Sequence, residues 1–143
     1  MDEIRVAKID SQTVESYPEL MGMIKKFLTE ADESDVNVKD TIEMMKQSDV
    51  WLGYIGRDLA GYLILKIEYV FGQGKVCLVH QVFIDVIARR STMMHEIEQA
   101  GVNFARENGV KKMFYTTRRN AEAFMRLLKK DWEIDSTIIS LCV

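Results

Sequence analysis

Hydrophobic and polar positions along the 143-residue chain change period several times, and each change marks an element. Ile4 to Ile9 reads as a short strand, ended by Asp10 or Ser11. Tyr17, Leu20, Met21, Ile24, Phe27 and Leu28 then repeat at helical spacing with Glu15, Glu19, Lys25 and Lys26 between them, which predicts a helix through Phe27. Pro18, the only proline, falls in its first turn, where a missing N–H does no harm. The polar run Thr29 to Asp35 reads as a loop. Val38, Ile42 and Met45 mark the inward face of a second helix, from Val38 to Gln47.

From Val50 the period becomes extended. VWLGYIGRDLAGYLILKIEYVF predicts two strands joined at Gly56-Arg57-Asp58, and Gly72-Gln73-Gly74 forms a further hairpin turn, giving strands near 50–55, 59–70 and 75–85. The last of these is nearly continuous in Val, Leu, Ile and Phe, as a strand covered on both faces reads. After the short basic loop Ala88-Arg89-Arg90-Ser91-Thr92 comes a helix with Met94, Ile97, Gly101, Phe104 and Ala105 on one face and its stop at Gly109. A strand from Lys111 to Thr117, a helix from Ala121 to Lys130 and a strand from Trp132 to Cys142 complete the chain. The predicted order is β-α-α-β-β-β-α-β-α-β, an α+β or mixed α/β layer with helices on both faces of one sheet, in a single domain over 1–143.

Composition narrows the classes. Hydrophobic content of 48% and charged content of 29% describe a folded globular chain. A net charge of −3 argues against nucleic acid or an anionic membrane as partner. No apolar run is long enough to span a bilayer, and the first ten residues lack the basic and apolar regions of a signal peptide, so the expected location is cytoplasmic. Cys77 and Cys142 have neither a disulfide framework nor a metal-ligand spacing, and His80 and His95 add no metal cluster.

Candidate chemistry gathers where the apolar strand meets the basic loop. Ser91 or Thr92 can cap the helix, and the free N–H groups of its first turn, the positive end of its dipole and Arg89 and Arg90 make an anion site of the kind that holds a phosphate. The other reading of this stretch is a plain connection with two solvated arginines. His80 lies on the same strand and has a reference pKa suited to base work, or is a hydrogen-bonded core histidine. Asp85 is placed to bind an amine or to cap the loop.

The chain resembles the GNAT superfamily of acyl-CoA-dependent N-acetyltransferases over essentially its whole length. The likeness rests on the element order, the hairpin VWLGYIGRDLAGYLIL, the strand and loop VFIDVIARR, the helix ending in ARENG and the segment NAEAFMRLLKKDW. It implies a central mixed sheet whose strand 75–85 parts at its C-terminal end from strand 111–117. It implies transfer of acetyl from acetyl-CoA to a small-molecule amine or a protein amino group by direct attack. The N–H groups of Phe83, Ile84 and Asp85 would polarise the acyl carbonyl, and Arg89, Arg90, Ser91, Thr92, Met93, Met94 and Asn120 would line the cofactor.

Three positions depart from the family pattern. In its loop, Q/R-x-x-G-x-G/A, Arg89 matches the first position, but Thr92 and Met94 stand where glycines let backbone approach the diphosphate. The family's tyrosine, which protonates the leaving thiolate, corresponds to Leu127, and Tyr115 is the nearest substitute by position. These departures keep a second class in view: a GNAT-fold module without catalysis, in a homo-oligomer or a larger assembly. Short GNAT-like chains of this sort also occur in phage genomes.

Overall fold

In the computed structural model, which describes residues 3–30, 37–70, 72 and 74–115, five strands and three helices follow the predicted order. The strands are β1 (Ile4–Ile9), β2 (Asp49–Ile55), β3 (Asp58–Val70), β4 (Gly74–Ile84) and β5 (Met113–Tyr115). The helices are α1 (Pro18–Glu30), α2 (Val38–Lys46) and α3 (Met93–Glu107). The sheet runs β1-β2-β3-β4-β5, antiparallel through β4 and parallel between β4 and β5. The helix expected at 121–130, the strand at 132–142 and Asn120 lie outside the described residues.

Boundaries move for local reasons. α1 runs on to Glu30, so Thr29 and Glu30 are helical rather than loop, and Thr29 Oγ1 donates to Lys25 O at 2.9 Å, one turn back. Ser11–Ser16 is a 3-10 turn that the periodicity did not announce; Asp10 caps it, and Ser11 and Gln12 donate side-chain bonds to Lys46 O at the end of α2. The β2–β3 turn closes one residue earlier than expected, because Gly56 takes φ +59° and Asp58 already pairs with Ile55. A 3-10 turn, Val86–Ala88, stands between β4 and α3, and strand geometry at β5 starts at Met113 rather than Lys111.

The sheet separates two cores. Leu20, Ile24 and Phe27 of α1 and Ile42 and Met45 of α2 pack on Val50, Leu52, Tyr62, Ile64 and Phe83. On the other face Met93, Ile97 and Ala105 of α3 pack on Trp51, Leu63, Leu65, Cys77 and Val79. Helices therefore cover both faces. Truncating a fully buried residue such as Leu20 or Ile64 to alanine would cost about 2–5 kcal/mol.

One irregularity in β4 matters for everything beyond it. Ile64 pairs with Gln81 but Leu65 pairs with Val79, so His80 is an extra residue, a β-bulge. Because side chains and N–H groups alternate along a strand, one inserted residue reverses both parities. Before the bulge, Cys77 and Val79 face α3, and the Cys77 N–H donates to Lys112 O beside β5, 3.0 Å away. After it, Phe83 faces α1 and the Asp85 N–H donates to Ala60 O of β3, 2.8 Å away.

Candidate acyl-transfer site

The reversed parity fixes which groups β4 offers. With Asp85 bonded to Ala60, alternation of an antiparallel ladder gives Phe83 the same direction, toward β3, and turns the N–H groups of Val82 and Ile84 toward β5. Pairing with β5 is described only at Cys77, Leu78 and Val79, opposite Met113, Phe114 and Tyr115. β4 continues to Ile84. Of the three N–H groups expected to meet an acyl carbonyl, Asp85's is held by β3 and Phe83's is directed there; Ile84's faces the other side, together with Val82's, which sequence reasoning missed.

The sequence candidates fall into two groups along β4 rather than one. His80 and Asp85 are five residues apart, roughly 17 Å along an extended strand, so one small amine cannot touch both. Around the bulge stand His80, Tyr115 opposite Val79, and a buried pair in which Tyr62 Oη donates to Gln81 Oε1 at 2.9 Å. Burial first, with Lys66 adding to it and Glu68 opposing, lowers the His80 pKa, so its imidazole is neutral at pH 7. Burial, with a smaller part from Tyr115, pushes the Tyr62 hydroxyl far above its ordinary range. Cys77 is pushed up to about 11 by burial, then by Asp49, and is a thiol rather than a nucleophilic thiolate.

At the strand's end lie Asp85, the arginine loop and the C-terminal turn of α1. Asp85's side chain is 8% exposed, and its Oδ2 accepts from Lys26 Nζ at 2.9 Å. Arg89 donates through Nε to Ile84 O at 3.0 Å, is ion-paired to Glu30, and lies 5.9 Å over the Phe83 ring. Phe27 packs edge-on against both Phe83 and Tyr62. Lys26 and Glu30 carried no sequence signal for this, since Lys26 read as the polar face of a helix and Glu30 as part of the loop Thr29 to Asp35.

At the start of α3 the Ser91 hydroxyl is the working cap: it accepts from Met93 N at 3.1 Å and donates to Ala88 O at 2.6 Å, whereas Thr92 makes no side-chain cap bond. Met93's side chain is fully buried against the sheet. Of the N–H groups a helix start leaves without intrahelical partners, Met93's is thus taken, while those of Met94 and His95, near exposed Arg90 in sequence, take no side-chain cap among the described residues. A diphosphate would find Arg90, these two N–H groups, and Arg89 if it leaves Glu30. The acyl-bearing arm of coenzyme A would find Val82 and Ile84. The residues present therefore fit the cofactor, with the phosphate end sharing its best donor with the chain itself.

The fold as a whole recurs in solved structures. An aminoglycoside acetyltransferase from an uncultured soil metagenomic sample, in complex with sisomicin, matches with a TM-score of 0.73 at 12% identity, over 98% of this chain and 96% of that one. Ribosomal-protein-alanine N-acetyltransferase from Brucella melitensis biovar Abortus 2308 matches with a TM-score of 0.73 at 12% identity, over 98% and 100%. The chain has the GNAT acetyltransferase fold. An aminoglycoside N-acetyltransferase in complex with CoA gives a TM-score of 0.69 at 13% identity, over 99% and 97%. No protein-family model matches the chain, and no curated protein matches it in sequence. Within this GNAT fold, no helix among the described residues is long and apolar enough to cross a membrane.

Proposed function

We propose that the chain is an N-acetyltransferase that moves the acetyl group of acetyl-CoA to an amine at the C-terminal half of β4. The observation that carries this is the reversal at His80, which turns two strand N–H groups, of Val82 and Ile84, away from β3 and so out of the β3–β4 ladder. Such preset donors favour charge developing on a carbonyl oxygen, an oxyanion-hole role. Acetyl-CoA, when bound, supplies an activated thioester.

The chain's own groups divide the remaining work. Asp85, buried at the strand end, holds the ammonium of the acceptor. His80, kept neutral by burial, takes the proton that the amine gives up, through solvent because of its distance from Asp85. Tyr115, at the end of β5, is the proton donor to the departing thiolate in place of the residue that Leu127 replaces. Arg90 and the Met94 and His95 N–H groups hold the diphosphate. The acceptor is a small-molecule amine or a protein amino group.

A second reading, a GNAT-fold module without catalysis, draws on a different observation. Arg89, Ser91 and the Met93 N–H already have partners within the chain. Calorimetric titration with acetyl-CoA, followed by thiol release with a panel of primary amines, separates the two. Binding with amine-dependent release is expected. No binding at millimolar acetyl-CoA would leave the module reading.

A further inference from the structure

α1 meets the end of β4 through two ion pairs of opposite sense and matching spacing. Lys26 and Glu30 are one helical turn apart, and their partners Asp85 and Arg89 are separated by the same number of residues. Lysine and glutamate at that spacing ordinarily pair with each other along a helix. Here each reaches across instead, the Lys26 ammonium to Asp85 and the Glu30 carboxylate to Arg89. Phe27, between them in sequence, packs on Phe83 with ring centroids 6.0 Å apart.

We propose that this turn of α1 is an internal competitor for both ligands: Lys26 stands where an acceptor ammonium binds Asp85, and Glu30 stands where a donor phosphate binds Arg89. The inference rests on the acyl-transfer reading above. Since both residues belong to one turn, a phosphate that takes Arg89 from Glu30 removes one of the two ties and frees Glu30 to pair with Lys26 along the helix. The cost of releasing Lys26 from Asp85 then falls. Donor binding thereby opens the acceptor position, a coupling between sites that has the same size in either order of binding. The two residues also set specificity, because only an acceptor that brings its own cation compensates Asp85 for the loss of Lys26.

The test uses the full chain, unacetylated CoA as the probe, and a limiting dose of N-hydroxysuccinimidyl acetate as an amine label read at each lysine by mass spectrometry. Lys25, exposed and next in sequence, is the internal reference. CoA should raise labelling of Lys26 relative to Lys25 by about two- to fivefold, the range available to an ion pair whose lysine is solvent-exposed. Glu30→Gln should tighten CoA binding by a similar factor and abolish the CoA-dependent rise, since it leaves Lys26 no carboxylate to turn to, with Glu30→Ala as the second variant. Pantetheine, which lacks the phosphates, should bind both forms alike. CoA binding that is indifferent to residue 30, or Lys26 labelling that ignores CoA, overturns the coupling and leaves the acyl-transfer reading standing. No CoA binding to any form overturns both.

Discussion

His80 and Tyr62 are pushed in opposite directions by one cause, since burial disfavours whichever form is charged. For His80 the folded pKa lies below its usual 6.5. As pH falls below 6.5 the unfolded chain binds a proton that the native one refuses, so stability present above 6.5 is lost as pH falls through the folded value. His80→Gln should therefore flatten the slope of stability against pH in the acid window just below 6.5, relative to wild type. Denaturant midpoints at a series of pH values measure it, and parallel curves would refute it. Tyr62 makes a separate point. Tyr62→Phe leaves the Gln81 Oε1 without its 2.9 Å donor in a buried setting, at a cost of about 1–3 kcal/mol. Tyr62→Phe with Gln81→Leu should recover much of the loss, read as a midpoint shift at unchanged m-value.

Among the elements, glycine is required where β3 meets β4 and convenient where β2 meets α3. A Cβ on Gly61 would lie 2.7 Å from the Phe83 carbonyl oxygen, which is backbone in the neighbouring strand and cannot swing away. On Gly53 it would lie 2.6 Å from the Met93 Sδ, the end of a flexible side chain. Gly61→Ala should thus destabilise by about 1–3 kcal/mol and Gly53→Ala by clearly less, in thermal or denaturant unfolding. Equal losses would mean Met93 is as fixed as the strand. The same contrast explains what was legible in the sequence. The helices and hairpins were, because Leu20, Ile24 and Phe27, or Gly56 and Gly72, declare a period or a turn within a few residues. The His80 bulge was not, since a one-residue slip between β3 and β4 leaves no mark in either strand alone. Without it the N–H groups of Val82 and Ile84 cannot be assigned a direction. Lys26 and Glu30 stayed hidden for a related reason: each lies 59 residues from its partner, beyond the reach of any local pattern.

For the molecule as a whole, a single sheet carries both cores, so the chain should unfold in one cooperative transition, and a ligand of the native state should raise its midpoint by linkage. At a CoA concentration near 100 times Kd the native state gains about 2.7 kcal/mol, which for a domain of this size is a shift on the order of 5 to 10 °C. The net charge of −3 opposes a polyanion at long range. Any attraction to the phosphates must then be local, from Arg89, Arg90 and the open start of α3. Added salt screens such exposed contacts, so the CoA-induced shift should shrink as ionic strength rises, and Arg90→Gln should reduce both the shift and its salt dependence. A CoA shift that is unaffected by salt and by Arg90→Gln would place the affinity at the C-terminal half of β4 alone. The arginine loop would then be a surface connection, the reading its residues shared from the outset with the phosphate site.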